Sequence, residues 1–184
     1  MTPENWFARP PKGFFYSLVS PHYMHIEPIS SIEEITALLA ENALPIADIS
    51  VSSPLKFFGI RDGGALAAVV GLELYPPFGL LRSLAVRSTF RKRGLARELV
   101  SFAESWSATQ GVGSLFLLTT SAEQLFLGLG YSLASREKAP SSIQATSQFY
   151  SLCPASAAFL SKRVAVRANP AVQGAPRDET AQRP

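Results

Sequence analysis

Apolar and polar positions between residues 24 and 164 follow two periods, the alternation typical of strands and the three-to-four spacing typical of helices. Apolar runs of strand length, bounded by glycine, proline or polar residues, predict seven strands, at residues 24–29, 55–61, 65–74, 80–86, 115–118, 131–135 and 157–164. Apolar residues that recur every three or four positions predict three helices, at residues 32–42, 93–109 and 121–129. The predicted order is therefore β, α, β, β, β, α, β, α, β, β.

Capping and turn signals support these boundaries. Ser31 followed by Glu34 is a capping box, which predicts that the first helix begins after Ser31. Residues 62–64 (DGG) predict a tight hairpin, and residues 76–79 (PPFG) predict a second turn, so the central strands form an antiparallel meander. The long helix then becomes a right-handed crossover between two parallel strands, at 80–86 and 115–118. The predicted fold is an α/β (α+β) sandwich, a mixed sheet of about seven strands with flanking helices.

The two ends of the chain differ from this middle part, which we take as a domain over residues 22–164. Residues 1–21 are interrupted by prolines and carry five aromatic side chains: Trp6, Phe7, Phe14, Phe15 and Tyr16. Such an arm either docks its rings on the body or on a partner subunit, which we favour, or is disordered. Residues 165–184 are polar and proline-containing, with almost no bulky side chains, and predict a disordered tail.

Composition excludes several classes of protein. With 47% hydrophobic and 17% charged residues, the 184-residue chain suits one globular domain. No apolar run approaches the roughly 20 residues of a membrane span, and the N-terminal segment lacks a signal-peptide pattern, so we expect a cytoplasmic protein without a membrane partner. Cys153 is the single cysteine, and His22 and His25 have no evident third ligand, so no disulfide and no metal site are expected.

Positive charge is concentrated in two places. The net charge of +3 comes from residues 160–184, because residues 1–159 hold 12 Lys and Arg against 12 Asp and Glu. Within this neutral body, five cations fall in eleven residues: Arg87, Arg91, Lys92, Arg93 and Arg97. The cluster indicates either a local anion site or a solvated helix face. Nucleic acid is a poor candidate, because only Phe90 is placed among these cations to stack on a base.

The six residues 91–96 (RKRGLA) stand where a strand passes into the long helix. The first amides of a helix lack intrahelical partners and lie at the positive end of its dipole. Gly94 and Ala96 keep bulky side chains away from these amides, so a phosphate can approach them. The segment has too few glycines for a dinucleotide fingerprint and lacks the Gly-Lys-Ser/Thr of a P-loop.

The pattern Arg-x-x-Gly-x-Ala, preceded by a strand that ends in Leu84-Ala85-Val86, resembles the coenzyme A pyrophosphate loop of the GCN5-related N-acetyltransferase (GNAT) superfamily. The order of strands and helices is similar too. Five further blocks resemble the arsenic-resistance N-acetyltransferase branch: residues 44–48 (LPIAD), 71–73 (GLE), 79–86 (GLLRSLAV), 117–120 (LLTT) and 151–157 (SLCPASA). The resemblance covers about residues 24–163 and neither end of the chain.

The resemblance implies a GNAT fold and acetyl-CoA as the acetyl donor. By position, the backbone of Leu84, Ala85 and Val86 would hold the pantetheine arm, and the Val86 amide would donate to the thioester oxygen as it becomes negative. The pyrophosphate would lie on Arg91, Lys92, Arg93, Gly94, Leu95 and Ala96. Many members of the superfamily place a tyrosine acid near position 126, but this chain has Phe126, and Tyr131 is expected to pack in the core.

Other candidates concern the acceptor. Glu73 is predicted to share a strand face with small residues (Ala65, Ala67, Val69 and Gly71) and is our candidate general base. Arg82 on a core strand needs an anion, which is a substrate group or Glu73 itself. Ser83 and Thr120 are further substrate candidates, and Thr119 either contacts the cofactor or caps the next helix. A loop containing Thr146, Gln148 and Phe149 is placed near the acceptor by the resemblance.

Taken together, the sequence predicts an N-acetyltransferase that moves the acetyl group of acetyl-CoA to the amine of a small molecule. The branch suggests an amino-acid-like organoarsenical or a phosphinic glutamate analogue, and a role in arsenic resistance. The alternative is a non-catalytic acyl-CoA-binding or regulatory module, because Phe126 replaces the usual acid and the aromatic arm could contact a partner. The arm also makes a homodimer plausible.

Overall fold

A computed structural model describes residues 25–50 and 55–165 of the chain. The aromatic arm over residues 1–21 lies outside the described residues, as does all of the 165–184 tail beyond residue 165, so both stay predictions. None of the helices in the described ranges has the length and apolar content of a membrane span.

Seven strands form one mixed sheet in the order β1-β2-β3-β4-β5-β7-β6. The strands are β1 (Ile26–Pro28), β2 (Lys56–Asp62), β3 (Ala65–Tyr75), β4 (Phe78–Val86), β5 (Ser114–Thr119), β6 (Ser132–Leu133) and β7 (Ala158–Arg163). The α-helices are α1 (Ile32–Glu41), α2 (Leu95–Thr109), α3 (Glu123–Leu127) and α4 (Ser141–Gln144). The predicted mixed sheet with flanking helices is confirmed.

The sheet is covered on both faces. On one face, Leu95, Leu99, Val100 and Ala103 of α2 pack in a core with apolar residues of the central strands. On the other face, Ile35, Leu38 and Leu39 of α1 pack in a second core with residues that include Val69 and Ala85. The helical spacing of these apolar positions is what lets each helix bury one stripe on the sheet.

The local signals act as the sequence predicts. Ser31 is the N-cap of α1, and its hydroxyl oxygen accepts the Glu34 amide at 3.3 Å. Gly63 and Gly64 have φ of +55° and +87°, which the β2–β3 hairpin requires and which glycine adopts without a steric penalty.

The alternation of β3 is broken near its start, which corrects one prediction about its faces. Ile60 pairs with Ala68 and Arg61 with Leu66, so Ala67 is an extra residue, a β-bulge. Leu66 therefore packs on the α1 side together with Val69, whereas Ala67 packs in the α2-side core. The prediction that Ala67 lies on the face of Val69, opposite Leu66, is wrong, because periodicity alone does not reveal a bulge.

Strands β4 and β5 are parallel, as predicted, but they are paired only at their beginnings. Phe78, Gly79 and Leu80 pair with residues 114–116, and the ladder stops there. Beyond this point β4 continues to Val86 and β5 to Thr119 without pairing to each other. The two strands thus open into a wedge at their carboxyl ends, on the side where α2 begins.

The stretch after β6 is more ordered than the sequence indicates. It contains a 3₁₀ turn (Arg136–Lys138), the helix α4 and a π-helical turn (Gln148–Leu152), where a loop is predicted. Ile143 of α4 is fully buried and packs in a third core with Leu80 and Phe159. These helices are too short for a clear 3.6-residue period, so tertiary packing determines them.

Candidate active site

The wedge between β4 and β5 contains a cavity of about 290 Å³. Predicted site residues that line it are Arg82, Ser83, Leu84, Thr119 and Thr120. Segments from outside the two strands complete its wall, namely residues 43–45 after α1, Phe126 of α3 and Gln148, Leu152, Cys153 and Pro154 near the π-helical turn. The cavity therefore joins the predicted cofactor strand to the segment expected near the acceptor.

A β-bulge in β4 lies beside the cavity. Gly71 pairs with Arg82 and Val69 with Ala85, so Ser83 and Leu84 together face the single residue Val70. Ser83 has a φ of +54°, a left-handed conformation that is uncommon for a residue with a side chain. Bulges bend a strand and occur often beside active sites. Here the bend coincides with the separation of β4 from β5.

The Val86 amide points away from β3, toward the side on which β5 has separated from β4. The Arg87 amide donates to the Ala67 carbonyl at 2.9 Å, so Arg87, just after β4, forms a hydrogen-bonded pair with Ala67 of β3. Because amide directions alternate along a strand, the neighbouring pair of Val86 and Ala68 is not hydrogen-bonded, and the Val86 amide faces away from β3. β5 does not pair with β4 at this level, so none of the strands in the described residues covers that amide. This is the geometry needed for the predicted oxyanion donor.

Of the three predicted cofactor residues of β4, Leu84 lines the cavity, whereas Ala85 and Val86 do not. The side chain of Ala85 is buried in the α1-side core. Any contact that Ala85 makes with a cofactor would be through the backbone, which is the role the resemblance implies.

The loop before α2 has the features of an anion site. Gly94 precedes the helix with a φ of +88°, and none of the described side chains caps this helix start. A Cβ placed on Gly94 would meet nothing within 4 Å, so the space beside Gly94 at the helix start is open. Arg91, Lys92 and Arg93 are exposed around this opening, while Leu95 is buried and fixes the helix to the core.

Two cations of this loop also have structural contacts. Arg91 donates from Nη2 to Asn42 Oδ1 at 2.8 Å and from Nε to the Val86 carbonyl at 3.3 Å. The guanidinium of Arg93 stacks over the Phe90 ring at 4.9 Å. These contacts orient the loop, and they leave its exposed positive charge at the opening of the wedge.

A buried charge cluster adjoins the other end of the wedge. Arg82, which is 4% exposed, forms a two-pronged ion pair with Asp48 and donates to Glu73 Oε1 at 2.8 Å. Glu73 is 5% exposed, and its second oxygen accepts the Tyr75 hydroxyl at 2.7 Å. Thus the anion that Arg82 requires is supplied within the protein, by Glu73 as one predicted alternative and by Asp48, which the sequence pattern did not single out.

Protonation in this cluster follows from burial and charge. Burial, together with the hydrogen bond to Glu73, raises the pKa of Tyr75 to about 12, so its hydroxyl remains a donor near neutral pH. Burial opposes the charge of Arg82, but the hydrogen bonds and charges of Asp48 and Glu73 outweigh it and raise the pKa of Arg82 overall. The cluster thus combines one cation with two carboxylates.

The contacts of Glu73 bear on its predicted role as a base. Both carboxylate oxygens already accept hydrogen bonds, and Glu73 does not line the cavity. Arg82 does line it, with its Nε buried and without a hydrogen-bond partner among the described residues. Each oxygen can still accept a second hydrogen bond, but the carboxylate is buried outside the cavity lining, so an amine proton would have to reach Glu73 through a water relay or a movement of the cluster.

The β5 end of the wedge contains hydroxyl groups and an aromatic wall. Thr119 Oγ1 accepts the amides of Ser121 and Ala122 at 3.3 and 2.9 Å and so fixes the turn before α3. The predicted alternative that Thr119 caps this helix is wrong, because Ala122 is the N-cap and no side-chain bond caps α3 among the described residues. Phe126 is 4% exposed and lines the cavity. Tyr131 is buried in the main core, as expected, with its pKa raised chiefly by burial.

Cys153 and Gln148 are neighbours on the opposite wall. The thiol donates to Gln148 Oε1 at 3.4 Å, and burial raises the pKa of the Cys153 thiol, so the neutral form is favoured. In the described part of the chain, no three His, Cys, Asp or Glu side chains are grouped closely enough to hold a metal ion.

The sequence matches the model of the acetyltransferase (GNAT) family over residues 15–131, more than half of the chain. The chain therefore belongs to the acetyltransferase (GNAT) family. This agrees with acetyl-CoA as the acetyl donor and with the fold expected from the sequence. A search of curated proteins returns no match to this chain.

Solved structures share the fold at low sequence identity. One is N-acetylglutamate synthase from Neisseria gonorrhoeae, in complex with coenzyme A and N-acetylglutamate, with 19% identity and a TM-score of 0.62; the match covers 76% of this chain and 35% of the synthase. This chain thus spans about a third of that enzyme. A GNAT acetyltransferase from Staphylococcus aureus has 15% identity and a TM-score of 0.60, with 78% of this chain and 100% of that one covered. The alanine N-acetyltransferase of ribosomal protein S18 from Escherichia coli has 16% identity and a TM-score of 0.57, with 79% and 97% covered.

Proposed function

We propose that this protein transfers the acetyl group of acetyl-CoA to the amine of a small molecule, with the wedge between β4 and β5 as its active site. The observation that carries the proposal is the opening between β4 and β5, which has a cavity of about 290 Å³ lined by Arg82 and Thr120 and lies on the side of the sheet where α2 begins without a side-chain cap among the described residues. When bound, acetyl-CoA would supply an activated acetyl group as a thioester.

Different residues would bind different parts of acetyl-CoA. The amides at the start of α2, with Arg91, Lys92, Arg93, Gly94, Leu95 and Ala96, would hold the pyrophosphate through backbone donors and positive charge. Leu84 and Ala85 would place the pantetheine arm along β4, and Thr119 would contact it from β5. This arrangement fixes the thioester in place before the amine arrives, which lowers the entropic cost of the reaction.

The Val86 amide and Glu73 are the proposed catalytic groups. Val86 would donate a hydrogen bond to the thioester oxygen as negative charge develops on it. Glu73 would receive the amine proton through a water relay or after a movement of the cluster, because it does not line the cavity itself. Ser83 and Thr120 would contact the acceptor, and the free Nε of Arg82 offers it one further donor.

The arsenic-resistance branch suggests the type of acceptor. Several residues of the sequence blocks that resemble this branch line the cavity, namely Leu44, Pro45, Leu117, Cys153 and Pro154. An amino-acid-like acceptor, such as an organoarsenical or a phosphinic analogue of glutamate, is therefore our proposal for the substrate. Acetylation would mask its amine.

The test is release of free thiol from acetyl-CoA in the presence of arsinothricin, phosphinothricin, glutamate or a wide panel of other amines. The proposal predicts turnover above hydrolysis with at least one amine. In that assay, Glu73→Gln should lower kcat by at least about 100-fold, the usual effect of losing a general base, with unchanged affinity for acetyl-CoA. Asp48→Asn is the matched control, because it also removes a carboxylate from Arg82 but has no proposed role in proton transfer.

A second candidate, the non-catalytic acyl-CoA-binding module, is favoured by one observation. Phe126 forms an apolar wall of the cavity where many members of the superfamily have a tyrosine acid. Tight binding of acetyl-CoA by the wild type, without turnover on any amine of the panel, would support this module and overturn the enzyme. Equal kcat values for Glu73→Gln and Asp48→Asn would remove Glu73 from the mechanism while leaving the enzyme in place.

A further inference from the structure

Arg136 is a cation that the proposed function does not yet use. It begins the 3₁₀ turn after β6, and its guanidinium stacks over the Phe149 ring at 5.0 Å. Two of its nitrogens, Nε and Nη2, are buried and have no hydrogen-bond partner among the described residues. No ion pair in the described ranges includes Arg136, although other buried or half-buried arginines are paired, such as Arg82 and Arg61.

The two unpartnered nitrogens lie on the same edge of the guanidinium group. Nε and Nη2 point their N–H bonds in parallel, which matches the two oxygens of a carboxylate or a similar acidic group. Leaving such donors buried without an acceptor costs free energy, so an anion that reached them would form two charge-assisted hydrogen bonds. The Phe149 ring holds the planar group in place from one side.

Arg136 is not a lining residue of the cavity, but its contacts place it behind the wall at the acceptor end. Phe149 follows Gln148, which is a buried wall residue of the cavity. Cys153, another wall residue, lies close enough to both Arg82 and Arg136 that each guanidinium acts to lower its pKa, against the larger effect of burial. The two arginines therefore approach the same part of the cavity wall from different elements, β4 and the turn after β6.

The two arginines differ in what they can offer a ligand. Arg82 uses Nη1 and Nη2 for Asp48 and Glu73, so its charge is more than balanced within the protein. Arg136 keeps a whole two-pronged edge free. An anionic group that enters the acceptor end finds in Arg136 the stronger partner of the two.

We infer that Arg136 binds an acidic group of the acceptor and so restricts the reaction to amines that carry a carboxylate or another two-oxygen anion, such as a phosphinate or arsonate group. This inference builds on the proposed function, because it names the class of acceptor for the same wedge. Arg136 acts as a specificity-determining residue, and the Phe149 ring positions it.

The kinetic test uses three acceptors that share one amine: glutamate, glutamine, in which the side-chain acid is neutral, and isoglutamine, in which the α-acid is neutral. With the wild type, kcat/KM should be at least about 30-fold lower than with glutamate for whichever of glutamine and isoglutamine lacks the acid that Arg136 binds. The reason is that a charge-assisted two-pronged contact is lost. Arg136→Met, which keeps an apolar side chain on Phe149, should lower kcat/KM by a similar factor only for acceptors that retain that acid. Phosphinothricin in the same assay distinguishes a phosphinate from a carboxylate as the preferred group.

Two further measurements keep the outcomes distinct. Arg136→Lys retains the charge without the two-pronged edge, so it should recover only part of the loss in Arg136→Met. Glutarate, which has no amine, should raise the Tm of the wild type in the presence of coenzyme A and leave that of Arg136→Met unchanged. Protection by glutarate that depends on Arg136, without turnover on any amine, would support the anion site and overturn the proposed transfer reaction.

If Arg136→Met lowers kcat/KM equally for all three acceptors, or for none of them, the inference is overturned. Turnover by the wild type would still leave the proposed function intact. An equal gain in Tm from glutarate for Arg136→Met and for the wild type would also overturn the inference.

Discussion

Replacement of Arg82 by methionine is expected to lower the free energy of unfolding by about 3–5 kcal/mol, the usual cost of removing one partner from a buried ion pair. Asp48 and Glu73 would then face each other without a cation, with Glu73 only 5% exposed. Removal of one carboxylate as well should restore part of the stability, so Arg82→Met combined with Glu73→Gln is expected to be more stable than Arg82→Met alone.

Chemical denaturation measures this effect, and Arg87→Met is the matched control. Arg87 also forms an ion pair, with Glu41 at 3.2 Å, but both side chains are at least one-third exposed. Exposed pairs contribute between about 0 and 1 kcal/mol, so this control should change stability little. Equal effects of the two substitutions would mean that the buried cluster does not stabilise the fold in the way its geometry indicates.

Gly94→Asp is expected to weaken the binding of acetyl-CoA by at least about 10-fold more than Gly94→Asn does. Both side chains fit, because a Cβ at Gly94 meets no neighbouring atom within 4 Å and both residues tolerate the positive φ better than most. They differ in charge alone, and a carboxylate about 4 Å from a phosphate is repelled by roughly 1–4 kcal/mol at a protein surface. The difference therefore isolates the electrostatics of the pyrophosphate site.

Titration calorimetry of both variants supplies the measurement, at low and at high salt. The ratio of the two dissociation constants should shrink as salt rises, because ions screen exposed charges. Equal affinities for the two variants at low salt would mean that the start of α2 does not hold the phosphates of the cofactor.

Much of this fold could be predicted from the sequence because its signals are local. The hairpin at residues 62–64, the cap at Ser31 and the crossover helix between β4 and β5 all occur at their predicted positions within a few residues. Turn residues and periodic apolar positions act over short distances along the chain, so they predict local structure without any knowledge of tertiary contacts. The bulge at Ala67 and the short helices between β6 and β7 depend on packing and could not be predicted in this way.

In the candidate site, too, only the parts formed by residues adjacent in sequence could be predicted. Loop 91–96 could be recognised because its glycine, its cations and the helix start are adjacent in sequence. The partnership of Arg82 with Asp48 joins residues 34 positions apart, and the only sequence signal was the position of Asp48 in one of the resembling blocks. The free edge of Arg136 gave no signal, because a missing partner is visible only when the neighbours are known.

The central claim is that the wedge of β4 and β5 holds acetyl-CoA, and calorimetric titration of the wild-type protein with acetyl-CoA tests it most directly. We predict binding of one molecule per chain with a dissociation constant in the micromolar range, weakened by salt. An absence of binding would contradict this claim, since the uncapped start of α2 would then be an ordinary exposed helix end and the wedge a cavity without this ligand.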